Sequence, residues 1–221
     1  NPYDGEPIYN LGLALKYQGK ISEAYDWFYK SCWNAAWQDA GYFACAQISV
    51  MQGRLEDALD EINHSLIRNW HNHKARALKI AILRRMGRRE EALRWIKDSL
   101  SIDKFNFACY YEKYLVTNAS EDLAILKEML RKEAHNYDEI ALDYSGAGCW
   151  AEAVSLWKVA VDEAAITPMT YYYLGWSLLQ GGFDGVQQAF ADAANVCPDY
   201  CFPNRLEAIL ALRCAMKENP C

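Results

Sequence analysis

The chain has 221 residues, is 52% hydrophobic and carries a formal net charge of −6. That is enough chain to bury roughly 70% of its unfolded surface if globular. No run reaches the ~18 apolar residues of a membrane span, and the acidic balance argues against nucleic acid, whose phosphates call for a basic surface.

The chain opens NPYDGEP, without methionine and without a basic, apolar leader, and reads as the start of an excised piece. Residues 9–28, YNLGLALKYQGKISEAYDWF, place a Gly-Lys pair behind a glycine. A phosphate loop needs glycine, four residues, then Gly-Lys-Ser/Thr after a strand. Ala14 stands where the first glycine should be, Ile21 follows Lys20, and the preceding pattern is helical, so no nucleotide site is expected.

What recurs is a period. Gly19, Gly53 and Gly87 follow one another at a constant spacing, and Ala24, Ala58 and Ala92 keep the same interval, as do Phe28, Ile62 and Ile96. The set returns as Gly148, Ala153 and Trp157, and Gly182 stands one period beyond Gly148; the step from Gly87 to Gly148 is two periods less seven, so one repeat is shortened. Leu11-Gly12 and Leu174-Gly175 confirm the phase, since their separation is five periods less seven. Each full repeat reads as two helices, over about 5–38, 39–72, 73–106, a shortened 107–133, 134–167 and 168–200, with a terminal helix over 204–218. LEDALDEINHSLI and REEALRWIKDSLSI show the apolar stripe of second helices, with Glu90-Glu91 complementing the dipole in a first turn. In the shortened repeat Asn118 and Ser120 replace the glycine turn as caps. Pro198 closes the sixth repeat and Pro203 suits the first turn of the last helix.

This period, with Leu-Gly, a second glycine, Ala-x3-Phe and a closing proline, resembles the tetratricopeptide repeat (TPR). The resemblance implies an all-α, right-handed α-α superhelix forming a single array over residues 1–221, a protein-binding scaffold and no enzyme. Gly12 and Gly175 would sit where paired helices touch, and Gly19, Gly53, Gly87 and Gly148 in tight turns. KSCWNAAWQDAGYFACAQ, NHKARALK, YYYLGWSL and CPDYCFPNRLEAILAL look like the repeat region of bacterial multidomain proteins in which a mainly β domain precedes the repeats. That likeness implies an alternative role, an accessory region of a carbohydrate-active enzyme whose catalytic domain lies elsewhere, and a cytoplasmic setting.

The cysteines, Cys32, Cys45, Cys109, Cys149, Cys197, Cys201, Cys214 and Cys221, contain no C-x2-C pair and read as structural thiols, Cys221 as an exposed, reactive one. His71 and His73 lack a third ligand, and His64 and His135 are solitary. No metal, cofactor or catalytic residue is expected.

The expected function is binding, because stacked repeats leave a groove lined by first helices. In register, that groove takes Tyr9, Leu13, Lys16 and Tyr17 from the first repeat, then Phe43, Gln47, Val50 and Met51. Lys74, Ala77, Arg84 and Arg85 follow as a basic band, then Tyr111, Leu115, Tyr172 and Trp176. The competing assignment for each aromatic is packing between helices. The first-repeat Lys and Asn of the chaperone-tail clamp correspond to Tyr9 and Leu13, which cannot grip a carboxylate, so a protein or peptide partner of another kind, or the protein's own N-terminal domain, is expected. Leu206, Ile209, Leu210, Leu212 and Met216 give the last helix more apolar surface than one packing face hides, which predicts burial by further repeats or a second copy.

Overall fold

The computed structural model describes residues 4–218, and among them thirteen α-helices and no strand. The helices fall in antiparallel pairs: α1 (Gly5–Tyr17) with α2 (Ile21–Ser31), α3 (Gln38–Met51) with α4 (Leu55–Arg68), and α5 (His73–Arg85) with α6 (Arg89–Ile102). Then come α7 (Phe107–Thr117) and α8 (Ser120–Leu130), α9 (Ala134–Gly146) and α10 (Trp150–Asp162), α11 (Pro168–Gly181) and α12 (Val186–Asn195), and finally α13 (Leu206–Glu218). Two compact units divide the chain, Asn1–Met129 and Leu130–Cys221.

The repeat period has a backbone cause. Gly19 adopts φ +79°, open to glycine at no steric cost. That one residue lets Gly19 N–H reach the Lys16 carbonyl at 3.0 Å and Lys20 N–H reach the Leu15 carbonyl at 3.0 Å, the pair of bonds of a Schellman stop. The same pair recurs at Gly53, Gly87, Gly148 and Gly182. In the first three of these turns and at Gly148 the residue after the glycine starts the next helix by accepting from the repeat's alanine: Ala24, Ala58, Ala92 and Ala153 donate to Lys20, Arg54, Arg88 and Cys149 at 2.9–3.1 Å. All four alanines are fully buried. The shortened repeat solves the turn differently. Asn118 takes the left-handed conformation at φ +55° and ends α7, while Ser120 is already the first residue of α8 rather than a cap.

Side-chain caps start other helices. Asn72 accepts from Ala75 N–H at 3.0 Å before α5, and Thr167 with Thr170 forms a capping box around Pro168 at the head of α11. Pro203, expected in the first turn of the last helix, lies ahead of it, because α13 begins at Leu206.

Gly12 and Gly175 are contact glycines. A Cβ at Gly12 would lie 2.8 Å from the ring of Phe28 on α2, and one at Gly175 would lie 2.4 Å from the ring of Phe190 on α12. Gly12→Leu and Gly175→Leu are each expected to cost about 1 to 3 kcal/mol by overpacking, read as a lowered midpoint in denaturant at constant slope. Leucine and alanine tolerated equally well at Gly12 would refute the packing role.

In the C-terminal unit the polar centre is Asp138 on α9, which accepts from Trp157 Nε1 at 2.8 Å and from Thr170 Oγ1 at 3.3 Å and so joins α9, α10 and α11. Burial pushes its carboxyl from 3.8 up to about 6, against the two hydrogen bonds that pull it down. Between those values the unfolded chain binds fewer protons than the folded one, so this group's stabilisation is present below pH 3.8 and is lost as pH rises through about 6. Asp138→Asn, which keeps an acceptor for Trp157, is expected to stabilise the unit by about 1 to 3 kcal/mol at pH 7.5 and by close to nothing near pH 4. Equal melting temperatures of the two proteins at both pH values would contradict this.

Among the described residues seven cysteines are free thiols, and Cys32, Cys45, Cys109 and Cys149 are buried. A hydrogen bond with the Cys32 thiol, followed by burial, pushes Cys45 up. Cys221 lies outside the described residues. The last helix packs through Ala208, Ala211 and Ala215 and leaves Leu206, Ile209 and Met216 exposed, while Leu210 and Leu212 are half-buried.

Candidate functional site

In the N-terminal unit the first helices are neighbours: α5 touches both α3 and α7, and Lys16 Nζ on α1 donates to Gln47 Oε1 on α3 at 3.0 Å. That bond fixes two of the expected groove residues against each other. Tyr9 is half-buried, with its ring 5.1 Å from Phe28 on one side and 5.1 Å from Trp37 on the other. Trp37 belongs to a single 3-10 turn, Ala35–Trp37, between the first two pairs, and its ring lies against Gly5. Tyr17 and Phe43 are also half-buried, which leaves part of each ring open to solvent.

The other expected residues are placed differently. Tyr111 is fully buried and Trp176 is 6% exposed, packed edge-on against Trp150 at 5.4 Å, so both rings serve the core and not a groove. Tyr172 is half-buried at 6.3 Å from Phe190. Lys74 stands in the first turn of α5 and Arg84 and Arg85 end it, about 15 Å further along the helix axis, so the three do not form one band. Arg84 is committed: its Nε and Nη2 donate to the two carboxylate oxygens of Glu112 on α7, at 2.8 and 3.2 Å.

Two clusters carry no repeat signature, and the sequence reading missed them. Arg76 is fully buried between Trp70 and Trp95, 4.6 and 4.9 Å from the ring centroids, and its Nε donates to Ser99 Oγ at 2.9 Å. Beside it Lys79 lies 3.7 Å over Trp95 and donates to Asn63 Oδ1 at 2.6 Å, and burial lowers its amine to about 8. The second cluster is a pocket of about 510 Å3 bounded by α2, α3 and α4 and lined by Tyr25, Tyr29 and Tyr42 with Glu56, Asp57, Asp60 and Glu61. Its signal in the sequence was Tyr25 and Tyr29, one turn apart on a second helix, and the four acids of LEDALDE.

The histidines take ordinary surface roles. His64 stacks on Tyr42 at 4.9 Å and stands 3.6 Å from Asp60, and His73 and His135 stand 3.7 and 3.4 Å from Asp103 and Glu139. Among the described residues no group of three His, Cys, Asp or Glu side chains could hold a metal ion. No helix among them is long and apolar enough to cross a membrane.

No family model and no curated protein matches the sequence. Solved structures do match the fold. A tetratricopeptide repeat protein from Parabacteroides merdae superposes with a TM-score of 0.51 at 18% identity, over 98% of this chain and 86% of that one. The fold is that of the tetratricopeptide-repeat solenoids. MamA gives a TM-score of 0.52 at 15% identity over 72% of this chain and 91% of its own. Pseudomonas aeruginosa PilF gives 0.51 at 15% identity over 93% of this chain and 95% of its own. At these identities the likeness speaks for the repeat fold, and the roles of individual side chains rest on the geometry above.

Proposed function

We propose that this chain is a protein-binding scaffold, with no chemistry of its own, that takes a peptide segment or a neighbouring domain on the first-helix face of its N-terminal unit. The observation that carries the reading is the Lys16–Gln47 bond, which ties α1 to α3, the two helices that carry the half-buried rings of Tyr17 and Phe43. Rigid aromatic side chains with part of the ring open make good anchors, because little conformational freedom is lost when a partner covers them. A random peptide library displayed on phage and panned against the chain tests the face. Recovered peptides are expected to lose about tenfold or more in affinity when Tyr17→Ala and Phe43→Ala are introduced together. Affinities that both changes leave untouched would overturn the assignment.

The exposed strip on α13 supports a second contact, with another copy of the chain. Leu206 and Ile209 are each about half exposed, at 48% and 47%, and lie on one helical face with Met216 at 73%. Light scattering is expected to show association that Leu206→Gln with Ile209→Gln abolishes. A monomer at all concentrations would remove the self-association.

A further inference from the structure

The pocket between α2, α3 and α4 combines two kinds of wall that suit one kind of ligand. Tyr25 and Tyr29 stack at 6.4 Å, and Tyr42 meets Tyr29 edge-on at 6.3 Å, which presents ring faces and edges around the opening. Four carboxyl groups, Glu56, Asp57, Asp60 and Glu61, oppose one guanidinium in the lining, Arg54. Arg54 shows what the wall accepts: its guanidinium sits 5.2 Å from the Tyr25 ring centroid and is held by Asp57 at 2.7 Å and Gln52 at 3.0 Å.

Glu61 is the second, independent sign. It is 6% exposed, yet it lines the pocket. Its Oε1 accepts from the Tyr25 hydroxyl at 2.5 Å, and its Oε2 is buried beside the Ser49 hydroxyl, without a hydrogen bond of good geometry. A carboxylate held out of water is weakly screened, so it favours a cation brought close to it. Burial also raises the Glu61 carboxyl above its ordinary value, so an incoming positive charge would relieve what desolvation imposes there.

We propose that this pocket binds a guanidinium or alkylammonium group, presented by an arginine or lysine side chain of a basic peptide. The aromatic faces attract the cation, Asp60 and Glu56 at the exposed rim steer it and accept its hydrogen bonds, and the buried Glu61 carboxylate draws it by charge. Of these residues only Tyr42 lies on a first helix, where its ring meets Tyr29 on α2 and His64 on α4, and no residue is shared with the Tyr17 and Phe43 anchors, so the site stands or falls apart from the peptide face proposed above.

The test is calorimetric titration of the full chain at low salt with acetylated, amidated Gly-Arg-Gly-Arg-Gly, its lysine counterpart and its glutamate counterpart. The basic peptides are expected to bind and the acidic one not to. Glu56→Gln with Asp60→Asn, and separately Tyr29→Leu, are each expected to weaken binding about tenfold, with helical circular-dichroism spectra unchanged because all three side chains are exposed. The same number of charges removed on another helix, Glu121→Gln with Glu128→Gln, is expected to change affinity less than twofold, as is Tyr17→Ala with Phe43→Ala. Equal loss in the Glu121–Glu128 pair would mean attraction to general surface charge and would overturn the site. So would an undiminished affinity of Tyr29→Leu, or binding of spermidine with none of either basic peptide.

Discussion

Trp157→Ala is expected to lower the stability of the C-terminal unit by about 3 to 5 kcal/mol. Trp157 is fully buried at the place that Phe28, Ile62 and Ile96 occupy in the earlier repeats. Its indole stacks on Tyr173 at 6.0 Å and donates to Asp138 at 2.8 Å. Truncation therefore removes three things together: apolar burial, a ring contact and one donor to a buried carboxyl. The remaining bond to Asp138, from Thr170 at 3.3 Å, is the longer of the two. Trp157→Phe separates the contributions, since it keeps most of the volume and loses the donor; its cost is expected to be about 1 to 3 kcal/mol, and Asp138→Asn should reduce that cost because a neutral amide is easier to leave without its partner. Chemical denaturation followed by tryptophan fluorescence and by circular dichroism measures both. A loss under about 1 kcal/mol for Trp157→Ala would show that the neighbouring helices close over the void.

Arg84→Ala is expected to cost a similar amount, about 3 to 5 kcal/mol, for an electrostatic reason. The Glu112 side chain is fully buried and that of Arg84 is 18% exposed, so truncating the arginine takes a forked, two-bond partner from a carboxylate that water cannot reach. Replacing both, as Arg84→Met with Glu112→Leu, is expected to recover most of the loss, because the cost lies in the charge left behind and not in the missing bridge. A double-mutant cycle in urea reads the coupling directly. Full additivity of the two single truncations would refute the pair as a structural unit. The same geometry bears on function. Charge reversal at Arg84 and Arg85 would damage the α5–α7 contact before it tested any ligand, so partner binding by the N-terminal unit is better probed at Tyr17 and Phe43.

The all-α repeat class, the helix pairs and their turns were legible because they follow from short-range backbone chemistry. A glycine at positive φ recurs in five of the turns and, after four of them, a buried alanine donates to the residue that follows the glycine, and each acts within a turn or two of itself. Contact glycines were legible for a related reason: Gly12 and Gly175 mark closely packed helix pairs, and the small residue announces the approach without its partner being known. The exception is one local turn, between α7 and α8. Asn118 and Ser120 were both expected as caps, yet the left-handed turn needs one residue, and Asn118 supplies it.

Side-chain roles were decided by tertiary contacts. Tyr9 and Tyr111 look alike in the repeat register, but Tyr9 is part-covered by Phe28 and Trp37 and Tyr111 is entirely enclosed. Arg84 and Arg85 are adjacent in sequence, and the distant carboxylate of Glu112 on α7 engages the first of them in a forked bond. The acidic, aromatic pocket brings α2, α3 and α4 together, and no period relates Tyr25 to Tyr42 or to Glu61. The sequence alone determined the repeating backbone, because turn chemistry and helix spacing act over one or two turns. The three-dimensional packing alone decided which charges are paired, which rings are buried and where a cation could be held, because those depend on distances between residues the chain separates by tens of positions.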